Sequence, residues 1–432
     1  MRSSLTITRR ALATILLLAF AADSGEAQTR AGAAQHEPLR FTPQRSELIR
    51  PAAEETAPAL QPAEGPRLQP ARTAQPEIAA QSPATTASEP AAHRGARLVT
   101  DAYQLTKTAK SEAELTQIIT LCVGAIRAGL NEEATAYARR LSAWAFNRRG
   151  ELRAAEGRED DALADFDKAV QIDAERWQSL HNRGISYALH GRFKEALQDF
   201  NRVVQLQPDY ANVYFNRGEV RYELGQFEGA IENYSMALQL NPKDSASFNS
   251  RGHAHYRLSD YRKAAADYTA ALKTDPTNAA AFTNRGDLFA DLGYYERALN
   301  DYQAAIKHDP QLARAYQSAA WLLATCPEEK FRSATAAVQA AQRAIELDPA
   351  GDHRYLDTLA AAQANAGQYE QARQTVRSAM QAAPKEAAAI YHTRLELYAR
   401  SQPLRTQARE LPQVADRSES QAQPSNFEQP VE

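Results

Sequence analysis

The chain has 432 residues, with 50 Lys and Arg against 53 Asp and Glu, a formal net charge of -3 and two cysteines. This length accommodates several compact domains or one elongated repeat array, and without a basic excess to release counterions from a phosphate backbone no nucleic-acid partner is expected. Cys122 and Cys326 are too few for a disulfide framework, a structural zinc site or an iron–sulfur cluster.

In chain order, residues 1–27 read as a secretory signal peptide. Arg2, Arg9 and Arg10 precede an apolar run from Ala11 to Ala22, which is followed by small residues at Gly25 and Ala27. The run is shorter than the roughly 20 residues a bilayer-spanning helix needs. Cleavage is expected after Ala27 or else after Ala22, and the paired arginines leave the general secretory and twin-arginine routes both open. The expectation is an exported protein, periplasmic or secreted, with no membrane span after processing. Residues 28–97 hold ten of the 21 prolines and one aromatic side chain, Phe41. Too little apolar surface is available there to offset the entropy of ordering, so a disordered linker is expected.

Next, Ser111 with Glu114 forms a capping box that opens a helix through about Ala128, and Asn131 caps a second helix with no stop signal before Gly150. Residues 98–142 are expected to be a helical cap whose second helix runs on into the first repeat. From there the glycines keep a period: Gly150, Gly184, Gly218, Gly252 and Gly286 are each 34 residues apart, preceded in step by Arg149, Arg183, Arg217, Arg251 and Arg285. Ala162, Ala196, Ala230, Ala264 and Ala298 recur with Phe166, Phe200, Tyr234, Tyr268 and Tyr302 four places later, on one helix face. Pro208, Pro242, Pro276 and Pro310 close the units, since a proline disfavours helix in the residue before it. Gly157, Gly191, Gly225 and Gly293, with Ser259 as the exception, stand at the turn inside each unit, where a left-handed helix stop is expected.

This pattern resembles the tetratricopeptide repeat family, in a variant with Asn-Arg-Gly near the end of the first helix, as in Asn182-Arg183-Gly184. The 34-residue period is that family's known signature. The resemblance implies an all-α, right-handed superhelical solenoid with disordered N- and C-terminal tails. It covers seven repeats over 143–386, at 143–176, 177–210, 211–244, 245–278, 279–312, 313–351 and 352–386. The sixth is atypical: Ala320 stands for the glycine, and Pro349 lies 39 residues after Pro310, which places about five extra residues around Thr325 to Arg332. A C-terminal capping helix is expected over 387–401, with Ile390, Tyr391, Leu395 and Tyr398 as its apolar face, and a disordered tail over 402–432.

No catalytic, metal-binding or cofactor-binding pattern emerges. There is no phosphate loop, no GxGxxG, HExxH or GxSxG, and His253 and His255 point about 200° apart on a helix, too far to share a metal. The Arg183 series invites an anion-binding reading, but Asp165, Asp199, Asn233, Asp267 and Asp301 recur at the same period and would pair with it as a ladder. The resemblance implies that first helices line a concave groove, with the residues one and five places after the conserved small residue facing it. Those are Glu219 with Glu223, His253 with Arg257, and Asp287 with Asp291, flanked by Phe215, Tyr222 and Tyr256. Two readings stay open: an acidic groove that takes a protein or peptide partner with a basic segment, or solvated helix faces. The expected function is a non-catalytic binding scaffold outside the cytoplasm. The alternatives are a structural subunit of a cell-envelope assembly and an enzyme with a site near Trp321, Cys326 and His353. The oligomeric state is open.

Overall fold

The computed structural model describes residues 91–348 and 353–408. The signal peptide, residues 28–90 of the linker, Pro349 and the tail from 409 lie outside them. The described residues form 17 α-helices and no strand, in two compact units divided between Leu258 and Ser259.

In residues 91–258 the helices are α1 (Ala91–Thr106), α2 (Glu112–Arg127), α3 (Glu132–Ala155), α4 (Glu159–Ile172), α5 (Trp177–Leu189), α6 (Phe193–Leu206), α7 (Ala211–Glu223), α8 (Phe227–Leu240) and α9 (Ser245–Arg257). Ser111 and Glu114 make the reciprocal capping box, Asn131 accepts from the Ala134 amide, and α3 runs without a break past Gly150. Helix α1 begins inside the stretch expected to be linker. Its small residues allow it: a side-chain carbon on Gly95 would sit 2.9 Å from Leu130. Ala102 is fully buried with Leu115, Ile118 and Leu141.

In residues 259–408 the helices are α10 (Tyr261–Thr274), α11 (Ala279–Asp291), α12 (Tyr295–His308), α13 (Ala313–Thr325), α14 (Ala334–Leu347), α15 (His353–Asn365), α16 (Tyr369–Ala382) and α17 (Ala388–Ala399). The extra residues of the sixth repeat hold a 3-10 turn, Glu329–Phe331. Tyr391 and Tyr398 of α17 are buried, but Ile390 is 53% exposed and does not join their core. Residues 402–408, expected as tail, lie against the array: the Thr406 amide donates to the Thr325 carbonyl at 2.9 Å.

In each unit, consecutive helices pair, and consecutive first helices also touch: α3 with α5, α5 with α7 and α7 with α9 in one, α11 with α13 and α13 with α15 in the other. The period has a steric origin. Ideal side-chain carbons on Gly150, Gly184, Gly218 and Gly286 would lie 2.6 to 2.7 Å from ring carbons of Phe166, Phe200, Tyr234 and Tyr302. Each ring of a second helix therefore rests on the bare backbone of its own first helix. In the sixth repeat the ring is gone, and Ala320 packs on Ala340 and Ala341 instead.

Candidate binding site

The Asn-Arg-Gly motif is consumed by the array itself. Arg149, Arg183 and Arg285 each hold the aspartate 16 residues on, Asp165, Asp199 and Asp301, through two hydrogen bonds of 2.7 to 2.8 Å. Arg217 donates a single such bond, to the Asn233 side-chain oxygen at 2.7 Å. The second arm reaches the previous repeat: Arg183 to Asp167, Arg217 to Asn201, Arg251 to Ser235 and Arg285 to Thr269. Burial works against the charge of Arg183, but Asp199 holds it above the ordinary guanidinium value. Burial pushes the Asp199 carboxyl up and Arg183 pulls it down; the bidentate geometry favours the ionised pair. The motif's asparagines bridge repeats, Asn182 to Asn147 and Glu151, and Asn216 to His181.

Half of the expected acidic groove is consumed too. Glu219 is 2% exposed and accepts from the Tyr234 hydroxyl at 2.7 Å. Asp287 accepts from Tyr302 at 2.9 Å and from Arg314 at 2.7 Å, while Arg314 also bonds Asn284. Where the ring has no hydroxyl, the matching residue is Ile185 at Phe200 but Glu151 at Phe166, and Glu151 accepts from Asn147 and Asn182 instead. In the third and fifth repeats the acidic residue one place after the glycine thus serves a buried tyrosine. Glu223 and Asp291 are half-buried. Phe215 is fully buried against Tyr234, with ring centroids 5.9 Å apart, so it is no anchor for a partner. Its position, three before the glycine, is buried throughout, at His181, Asn249 and Thr283.

Four of the expected residues do converge, on α7 and α9. The His253 ring stacks on Tyr222, with centroids 5.1 Å apart and planes 27° apart, and Tyr256 lies 6.4 Å beyond it. Arg257, exposed at the end of α9, donates to the Tyr222 hydroxyl at 3.2 Å and lies 4.5 Å over the Phe227 ring. Burial raises the Tyr222 phenol, and Arg257 partly offsets this. The cluster is a cation held on a bed of rings, suited to carboxylate or aromatic groups. Phe227 was not among the expected residues, although it opens the second helix of its repeat as Phe193 does of the one before.

At the alternative enzymatic place, Cys326 is fully buried and burial raises its thiol, which is the opposite of an activated nucleophile. His353 bonds the Tyr391 hydroxyl. Among the described residues no group of three or more His, Cys, Asp or Glu side chains could hold a metal ion, and no helix is long and apolar enough to cross a membrane.

Two family models match the chain: a TPR repeat at residues 184–225 and 218–259, and a tetratricopeptide repeat at 249–313 and 283–352. No curated protein sequence matches it. Among solved structures, a tetratricopeptide repeat protein from Parabacteroides merdae is similar at 14% identity over 71% of this chain and 99% of that one, with a TM-score of 0.41. Pseudomonas aeruginosa PilF is similar at 20% identity over 50% and 96%, with a TM-score of 0.43. YrrB, described as a TPR protein with an unusual peptide-binding site, is similar at 24% identity over 40% and 89%, with a TM-score of 0.34. Residues 184–352 of the helix-pair array are repeats of the tetratricopeptide family.

Proposed function

We propose that the array is a non-catalytic scaffold for a protein or peptide partner, with His253, Tyr256 and Arg257 as part of the contact surface and the buried Tyr222 as the ring that seats them. Tetratricopeptide arrays serve protein–protein contact in general. The observation that carries the proposal is the convergence of two first helices on stacked rings topped by an exposed guanidinium. Aromatic and arginine side chains already held in place lose little freedom on binding, and they dominate interface energies. The partner chemistry that fits is an acidic or aromatic peptide segment. The basic segment expected from the sequence loses its main support, because the Glu219 and Asp287 carboxylates are already hydrogen-bonded inside the array.

The test is a selection of linear peptides on the full chain, followed by calorimetric titration of the selected peptides against wild type and Arg257→Ala. Affinity at least tenfold weaker for the variant supports the reading; equal affinity refutes it. The charged start and apolar run of residues 2–22 support a place of action outside the cytoplasm. N-terminal sequencing of the chain expressed with its own leader should begin at Gln28; an intact Met1 start on all of the protein refutes export by cleavage.

A further inference from the structure

The first helices of the fifth and seventh repeats close in the ordinary way. After α11, Gly293 takes a φ of 81°, and the Gly293 and Tyr294 amides return to Ala290 and Phe289. After α15, Gly367 and Gln368 do the same to Ala364 and Gln363. The sixth repeat cannot. Where the glycine would stand it has Pro327, directly after Cys326, and a proline both lacks an amide and forces the residue before it into extended backbone. Cys326 accordingly has φ -49° and ψ 133°. The last carbonyls of α13 are left pointing outward as acceptors, at the end of the helix where the macrodipole is negative.

Their partners come from elsewhere in the chain. The Ser333 amide donates to the Leu323 carbonyl at 3.0 Å. The next two are served by the C-terminal segment: Arg405 donates to the Ala324 carbonyl at 3.1 Å and the Thr406 amide to the Thr325 carbonyl at 2.9 Å. Arg405 also donates to the Asn365 side chain at 3.0 Å, and Thr406 to the Thr325 carbonyl through its hydroxyl. Leu404 packs onto the core clusters on both sides, and Ala408 reaches the Gly293 turn. Ser401, at a φ of 55°, turns the chain back from α17 to start this path. Yet no residue of 402–408 is buried, in contrast to Tyr391 and Tyr398 just before it. The capped carbonyls belong to the fully buried Ala324 and Thr325, but a few hydrogen bonds and the half-buried Leu404 must order seven residues that are themselves half-buried or exposed, so the segment is held lightly.

We propose that the open end of α13, with Asn365, is a docking site for an extended partner peptide that presents an arginine followed by a free amide, and that Leu404–Thr406 occupies it in cis until such a peptide displaces it. This deepens the scaffold reading but uses another surface, in residues 259–408, so that Arg257-dependent binding can hold while this inference fails.

A labelled peptide with the sequence of residues 400–410 is titrated, by fluorescence anisotropy, against the full wild-type chain and the full chain carrying Arg405→Ala with Thr406→Pro. The variant should bind it at least tenfold tighter than wild type, and a peptide with Arg405→Ala should lose that binding. Binding to neither chain, or equally to both, overturns the proposal. A second arm needs no variant: in the wild-type chain, saturating peptide should speed hydrogen exchange at the Thr406 amide severalfold, and unchanged exchange overturns the proposal even where the variant loses its helical circular dichroism.

Discussion

Replacing Tyr234 by Phe probes what the acidic first-helix residues do. The Tyr234 ring is fully buried, its hydroxyl donates to Glu219 at 2.7 Å, and Glu219 is itself 2% exposed. Removing the hydroxyl leaves a buried carboxylate short of a donor, and a hydrogen bond to a charged group is worth about 1.5–3 kcal/mol. Tyr234→Phe should therefore destabilise residues 91–258 by about that much, although the substitution deletes only one atom. Glu219→Ile alone leaves the hydroxyl without its acceptor and should cost about 1–3 kcal/mol. The double variant rebuilds what the second repeat already has, Ile185 with Phe200. It should be less destabilised than the two single variants added together, with a coupling energy of at least about 1 kcal/mol. Urea unfolding of the four chains, followed by circular dichroism, measures the cycle. Strict additivity refutes the pairing of tyrosine with acid and returns Glu219 to the pool of binding residues.

Three further outcomes follow from the same geometry. Arg183→Ala strands Asp199, which is 6% exposed, and should cost about 3–5 kcal/mol in urea unfolding, as broken buried ion pairs do; the loss should persist at high salt, because the pair is shielded from solvent. Gly184→Ala gains about 1 kcal/mol of helix propensity but places a carbon 2.7 Å from Phe200, so overpacking of about 1–3 kcal/mol should leave a net loss; a net gain contradicts the ring-on-glycine account. Glu112 is held from its ordinary value of 4.5 down to about 2 by hydrogen bonds from Arg158 and Arg153. Its folded-state value being depressed, its contribution is present above pH 4.5 and is lost as pH falls toward 2. The melting-temperature advantage of wild type over Glu112→Gln should shrink across that window; a constant difference refutes the assignment.

The array was legible because its packing rule repeats. A ring seated on a bare backbone demands a glycine every 34 residues, and an arginine beside it is met by an aspartate, or once by an asparagine, 16 residues later, so period and chemistry appear together in the sequence. The capping box at Ser111 was legible for a similar local reason. What could not be read locally came from tertiary contact. Helix α1 holds through the close fit of Gly95 on Leu130, and residues 402–408 hold through carbonyls that Pro327 leaves open some 80 residues away. The candidate site was legible in half. His253 and Arg257 stand with Tyr222 and Tyr256 on the first helices, where the family resemblance, not the residues alone, implies groove-facing positions. Glu219 and Asp287 were misjudged, because the tyrosines they serve lie on the second helix of the same repeat. The repeat pattern does not give this away: acid accompanies Tyr234 and Tyr302, but Glu151 accompanies Phe166 and His253 accompanies Tyr268.

The scaffold reading is tested most directly by hydrogen exchange along the full chain with and without a selected peptide at saturation. Protection centred on residues 211–223 and 245–257, and absent in the Arg257→Ala chain, is the predicted result. Protection that avoids both helices, or that survives the substitution unchanged, contradicts it.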